Sequence, residues 1–329
     1  MAEQFAGAVT AIRPFGTGHI NDTYLAETAA GEYVVQRVNT AVFSDPEAVT
    51  ANILTVHRHG GGALMPEPVA TVKSGQWLLS DWFGAWRAWR RAPGAPRDSA
   101  AADPPALAAA AELLGRFHGL LADLDPATVP ETLPGFHDPG RRLAALRAVV
   151  AADPCGRAAT VQDEIAVANA DESLAALAGE LGTRVPRRVA HFDAKLDNIL
   201  FVGDDPTCLV DFDTLMPGAC FWDVGDLLRS GATTAAEDER DLDRAVVAPD
   251  RYRAILDGYR RGRGAGGAPP DADELEALEV AGAIITYEQA VRFLTDWIAG
   301  DVYYRIHRPE QNLDRARAQF RLLASMPKP

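Results

Sequence analysis

Between residues 8 and 39 apolar and polar positions alternate in three runs, broken at Gly16-Thr-Gly18 and at Ala29-Ala-Gly31, a pattern that predicts three antiparallel strands. In the third run, Tyr33-Val-Val-Gln-Arg-Val-Asn39, a period of two places Tyr33, Val35 and Arg37 on one face. Asp45-Pro-Glu47 then supplies an N-cap followed by proline, opening a helix expected to run to His59 and stop at Gly60-Gly-Gly62. Val69 to Val72 and Gln76 to Ser80 complete an expected five-stranded sheet, and a lobe boundary is placed at Asp81-Trp-Phe-Gly84. The tract from Arg90 to Pro105 is rich in proline, alanine and charge and reads as a mobile surface loop. Arg87, Arg90, Arg91 and Arg97 nearby either bind an anion or merely solvate a surface.

Beyond Pro104 the period lengthens to that of helices. Leu107, Ala111, Leu114, Phe117, His118 and Leu121 mark one buried face, with His118 expected as a core histidine whose ring nitrogens are satisfied. Helical patterns follow over 140–152, 160–181, 250–262, 271–300 and 312–324, and Phe221 to Arg229 reads as a helix start carrying Asp223 and Asp226. The outline is an α+β chain, with a small antiparallel-sheet lobe over residues 1–83 and a larger, mainly helical lobe over 84–329.

Composition narrows the partners. A length of 329 residues suits two unequal lobes, and a net charge of −14 argues against a nucleic-acid partner, which would meet a basic surface. Cys155, Cys208 and Cys220 form no C-x-x-C pair, which fits a reducing compartment and neither zinc nor a disulfide framework. The first residues lack a basic region followed by an apolar run, and no apolar stretch is long enough to span a membrane. A cytoplasmic protein with a small-molecule partner is expected, its oligomeric state open.

The chemistry concentrates in Val189 to Val202 and Cys208 to Asp213, where H-x-D-x-x-x-x-N, an apolar strand, a turn, a second apolar strand and D-x-D follow one another. Phosphoryl transfer from a magnesium-bound nucleotide uses such an order. Asp193 would accept the acceptor's hydroxyl proton, and Asn198 and Asp211 would ligate Mg2+. Asp213, on the same face if the strand continues, would take a second ion or hold the loop. His191 would orient the loop, and Lys195 would touch a phosphate or face water. Polar turns flanking a hairpin are the plain alternative. In Phe15 to Asp22, Gly16 and Gly18 would let backbone N–H groups approach phosphates, though a simple turn explains them too. Val35 would lie against an adenine, Arg37 would reach the phosphates with Glu47 as a partner, and an extended linker at Asp81 to Phe83 would offer its backbone to the edge of a purine.

His191-Phe-Asp-Ala-Lys-Leu-Asp-Asn198 and Val210-Asp-Phe-Asp213 together resemble the aminoglycoside phosphotransferase and choline kinase superfamily, which has a protein-kinase-like two-lobed fold. The chain is most similar within it to the N-acetylhexosamine 1-kinases. That likeness rests on Gly16 to Tyr24, Val35 to Asn39, Asp211 to Gly218, Asp223-Val-Gly-Asp226, Arg292 to Trp297, Gly300 to Tyr304 and Asn312 to Arg315. Between residues 84 and 190 little matches beyond Gly135-Phe-His137. The resemblance implies ATP and Mg2+ as cofactors, Asp193 as base, Asn198 and Asp211 as metal ligands, and Arg37 where most kinase-like folds carry lysine. It further implies His19, Arg292 and Tyr303 as sugar contacts beside Asp193, with His191 and Asp223 in support. The expected product is a sugar 1-phosphate; an aminoglycoside or other small-alcohol kinase is the near alternative, and a non-catalytic nucleotide-binding pseudokinase the distant one.

Overall fold

The computed structural model describes residues 1–16 and 20–327. A short helix α1 (Ala2–Ala6) precedes β1 (Val9–Pro14), β2 (Asp22–Thr28) and β3 (Gly31–Val38), which pair antiparallel as their alternation requires. Helix α2 (Pro46–His59) starts where expected, because the Asp45 carboxylate accepts from the Ala48 amide at 2.9 Å, and it ends on Gly60 at φ 134°.

The sheet departs from expectation beyond α2. It contains β4 (Pro68–Val69), β5 (Leu79–Asp81) and β6 (Gly84–Arg90), giving six strands in the order β1-β2-β3-β6-β4 with β5 also on β6. Asp81 pairs with Gly84, so Trp82 and Phe83 form the tip of a hairpin and the boundary expected at 83/84 falls inside the sheet. The chain leaves the sheet after Arg90, roughly 20 Å from that tip by strand geometry.

The tract beyond Arg90 is tied down where a mobile loop was expected. Strand β7 (Ala95–Pro96) pairs with a later strand, Ser99 donates to the Thr233 carbonyl at 2.7 Å, and Arg251 donates to the carbonyls of Ser99 and Ala102. Its arginines are also spoken for: Arg90 meets Glu67, Arg91 meets Glu32 and Arg97 meets Asp204. Arg87, the fourth of them, pairs with Asp213, so each of the four has a carboxylate partner.

The helical part comprises α3 (Pro104–Leu120), α4 (Pro139–Ala152), α5 (Gln162–Ala170), α6 (Ser173–Arg184), then β8 (Arg188–Ala190), β9 (Ile199–Val202), β10 (Asp205–Leu209) and β11 (Met216–Gly218). Helices α7 (Phe221–Gly231), α8 (Pro249–Ala265), α9 (Ala272–Ala299) and α10 (Gln311–Ser325) complete it. The expected helix over 160–181 is two helices, since one apolar period carries across the break at 171–172. Helix α9 runs through the centre, packed by α4, α6, α7 and α10 and opened by a capping box of Asp271 and Glu274. Against α3, α8 comes to backbone contact: a Cβ on Gly258 or Gly262 would stand 2.1 Å from a carbonyl oxygen of α3. Among the described residues no helix is long and apolar enough to cross a membrane.

Candidate active site

The loop between β8 and β9 bends through Phe192, which adopts φ 65°, a conformation that strongly disfavours a bulky L-residue. Its neighbours hold it there. The Asp223 carboxylate at the start of α7 accepts from the amides of His191 at 2.7 Å and Phe192 at 2.6 Å, and the Phe192 ring lies where Gly218 has no side chain. Asp223 is fully buried and also bonds His118 at 2.8 Å. Burial alone would discharge both, yet their mutual attraction wins. Asp223 is lowered with His118 as its main partner, while His118 is raised well above its ordinary value, with Cys220, Tyr259 and Asp223 opposing the burial. The expectation of a core histidine with satisfied nitrogens holds for His118, whose other nitrogen lies 2.9 Å from the Tyr259 hydroxyl.

Held this way, the loop presents Asp193. Its carboxylate accepts from Lys195 at 2.9 and 3.1 Å and from Asn198 at 2.8 Å. Burial opposes its charge, but the Lys195 ammonium outweighs that, helped by His191 and Asn198, and the carboxyl is lowered. Lys195 is raised in turn, against burial, by Asp193, Asp211 and Asp226. His191 bonds the Val210 carbonyl at 2.9 Å, joining this loop to the segment that follows β10.

That segment does not continue as a strand. Asp211 takes φ 67° and opens a tight turn through Thr214, so Asp211 and Asp213 do not share a strand face as expected. Both oxygens of Asp213, which is 2% exposed, are engaged by Arg87 of β6 and Asn21 beside β2. The expectation of Asp213 as a metal ligand therefore gives way, in this structure, to an anchor. Asn52 of α2 adds a third tie, donating to the Leu215 carbonyl at 3.0 Å. Asp211 is open to solvent on one side and makes no hydrogen bond within the described residues; the surrounding protein first, then Asp213 and Asp193, push its carboxyl up to about 6.

The donor set suits a magnesium ion. Asn198 spends its Nδ2 on Asp193, which turns Oδ1 the other way, and Asp211 stands among carboxylates short of positive charge. Among the described residues no three His, Cys, Asp or Glu side chains form a cage for a metal ion.

The sheet residues expected on the nucleotide fall elsewhere. Val35, expected against an adenine, is 1% exposed beneath α1 and packs with Phe5, Tyr33 and Ala88. Arg37 shares that outer face, pairs with Asp22 at 3.6 Å and is half exposed, while Glu47 accepts from Ser80 and not from Arg37. Asp81 caps the Phe83 amide at 2.8 Å on the hairpin tip, with Phe83 exposed, so neither stands at the crossover between lobes. The face towards Asp213 carries Gln36 and Arg87, joined at 3.0 and 3.2 Å, with Trp89 donating to the same Gln36 oxygen. Alternation alone had made these residues visible as neighbours but not as the inner side. Gly16 adopts φ 80°, a conformation suited to glycine. Gly18 and His19 lie outside the described residues.

Within electrostatic reach of Asp193, Arg292 of α9 sits among the rings of Phe136, Tyr304 and Tyr303 at 5.3, 5.6 and 6.0 Å. Burial opposes its charge, and Tyr304, Glu288, Tyr303 and Asp193 raise it. Tyr303 is 56% exposed and Asp296 fixes the backbone there, accepting the amides of residues 302 to 304. Glu288, Phe136 and Tyr304 were not singled out from sequence, because nothing at their spacing marks them apart from core.

A model of the phosphotransferase enzyme family matches residues 11–265. An aminoglycoside phosphotransferase from Alicyclobacillus acidocaldarius subsp. acidocaldarius DSM 446 superposes with a TM-score of 0.65 at 15% identity, over 98% of this chain and 93% of that one. Spectinomycin phosphotransferase, solved with ADP and spectinomycin, gives 0.63 at 11% over 95% and 92%. Choline kinase from Cryptosporidium parvum Iowa II gives 0.59 at 12% over 94% and 87%. At these identities the structural likeness is one of fold, kinase-like with an antiparallel-sheet lobe and a helical lobe. The family match spans well over half of the sequence, and the chain belongs to the phosphotransferase enzyme family.

Proposed function

We propose that this enzyme transfers the terminal phosphoryl group of ATP, with Mg2+, to the anomeric hydroxyl of an N-acetylhexosamine such as GlcNAc or GalNAc, giving the sugar 1-phosphate. The observation that carries this reading is Asp193, bonded by Asn198, with Asp211 and the ring-caged Arg292 both within electrostatic reach of it. Asp193, held ionised by Lys195, orients the acceptor hydroxyl and takes its proton as the phosphoryl group moves. Mg2+ on Asn198 and Asp211 would neutralise charge on the phosphoryl oxygens. Asp213 steadies the segment from the sheet side. Arg292 offers donors to sugar hydroxyls and the acetamide, and Tyr303 a flat exposed face. His19 completes the proposed sugar contacts.

An aminoglycoside acceptor is less well supported, since Arg292 sets a cation against a polycation although the chain as a whole carries −14. An ADP-release assay over GlcNAc, GalNAc, glucosamine, choline and kanamycin tests the reading. Turnover is expected with the two N-acetylhexosamines, and their failure while another compound turns over refutes the acceptor.

A further inference from the structure

Phe192, the strained residue before Asp193, is gripped from two sides. On the far side, His137 Nε2 lies 3.0 Å from the Phe192 carbonyl oxygen, and its Nδ1 lies 3.3 Å from a Glu288 oxygen on α9. The ring is sandwiched between Phe192 at 5.5 Å, nearly parallel at 11°, and Trp222 at 5.3 Å. His137 and Glu288 side chains are 5% and 1% exposed, so neither is a surface contact.

We propose that His137 is a positioning residue for the catalytic loop, donating from Nε2 to the Phe192 carbonyl and thereby fixing the direction in which Asp193 points. The proposal rests on Asp193 being the base. A carbonyl oxygen only accepts, so Nε2 carries the proton that it donates to Phe192, while Nδ1 faces the Glu288 carboxylate. Arg142 approaches the other Glu288 oxygen at 3.6 Å, and that oxygen has no hydrogen bond among the described residues. Arg292 feels the same carboxylate. Glu288 thus lies between the acceptor end and the loop, holding the ring that holds Phe192. Asp223 fixes the amide of Phe192 and His137 its carbonyl; with either one missing, a left-handed phenylalanine can relax.

Three variants of the full-length enzyme separate this role from packing. His137→Gln places an amide donor near the Nε2 position, His137→Asn near the Nδ1 position, and His137→Phe keeps an aromatic ring while removing both nitrogens. With ATP and whichever panel acceptor turns over fastest, His137→Gln should keep kcat within about threefold. His137→Asn and His137→Phe should lower it about 10²-fold, the cost of a misplacement near 1 Å, with KM for ATP unchanged. If packing were the whole role, His137→Phe would be the mildest variant, and Gln and Asn would fall together; either result overturns the proposal. Should His137→Phe not fold, the Gln and Asn pair decides, because both lose the same stack. Asp193→Asn measured alongside identifies the other failure: retained turnover there removes Asp193 as base.

Discussion

The base loop, residues 189–198, and the metal segment, residues 210–215, touch through His191 and Val210 yet are secured by different parts of the chain. Asp223, Ser230 and His137, all within the helical part, hold the first, and Thr214 of the second adds a bond to the His191 carbonyl. Arg87, Asn21 and Asn52, from the sheet and α2, hold the second. Among the described residues, the loop with the proposed base is therefore held without a bond from the sheet, whereas the segment that carries Asp211 is tied to the sheet as well. Phosphoryl transfer asks for this division, since its catalysis is mostly positioning and the nucleotide arrives between the two parts.

The most severe break of the first half is Asp193→Asn, expected to lower kcat about 10³-fold while calorimetry still detects nucleotide binding. Asp223→Ala follows, leaving His118 charged and buried, at a cost of about 3–5 kcal/mol in denaturant unfolding. Its pH window follows from both partners. His118 is raised, so its share is present below the unfolded value of 6.5 and persists until pH passes the higher folded value; Asp223 is lowered, so its share is present above 3.8 and disappears on acidification. The difference between wild type and variant should be greatest between about pH 4 and 6.5, and shrink on acidification below that window and as pH rises above it.

The second half is broken by Arg87→Met and Asp213→Asn. Each should raise KM for Mg·ATP roughly tenfold with little change in Asp193 chemistry, and the double variant should show a coupling of about 0.5–3 kcal/mol in unfolding. A smaller effect comes from pH. A carboxylate ligates metal only when ionised, so with Asp211 in its proposed role Mg2+ affinity should be constant well above pH 6 and fall as pH drops through about 6. Because its folded pKa is raised, Asp211 weakens the metal-free fold as pH climbs from 3.8 towards 6 and beyond. Asp211→Asn, which tolerates φ 67°, should raise the metal-free Tm slightly at pH 8 and not at pH 4. Least of all, Arg37→Ala should change KM for ATP by no more than about twofold, as befits an exposed pair; a tenfold rise would return the phosphate contact to the outer face of β3.

Much of the helical part was legible because each signal was local. The Asp45 cap, the apolar face of α3 and the ordered run from His191 to Asp213 depend on residues a few positions apart. What escaped depends on pairing across the chain. Period two tied Val35 to Arg37 correctly, but which face meets α2 is decided by β6, whose existence was hidden by two aromatic residues read as a linker. Asp213 looked like a ligand because its partner lies 126 positions away on that same strand. His137 was noticed only as part of a short match, since its bonds reach Phe192 and Glu288, 55 and 151 positions on.

Strand β7 pairs with β9, Ala95 to Phe201 and Pro96 to Leu200, and Gly94 at φ 103° leaves no room for a side chain against the Phe201 backbone. The crossover is thus stitched to a hairpin whose two ends carry Asn198 and Asp211. The sheet is joined to the helical part through the few residues between Arg90 and Ala95, a short tether whose far end is fixed to the hairpin that bears Asn198 and Asp211. Sheet and hairpin are therefore coupled twice, through this tether and through Arg87 and Asn21 on Asp213, as a door hung on a post that also carries its latch plate.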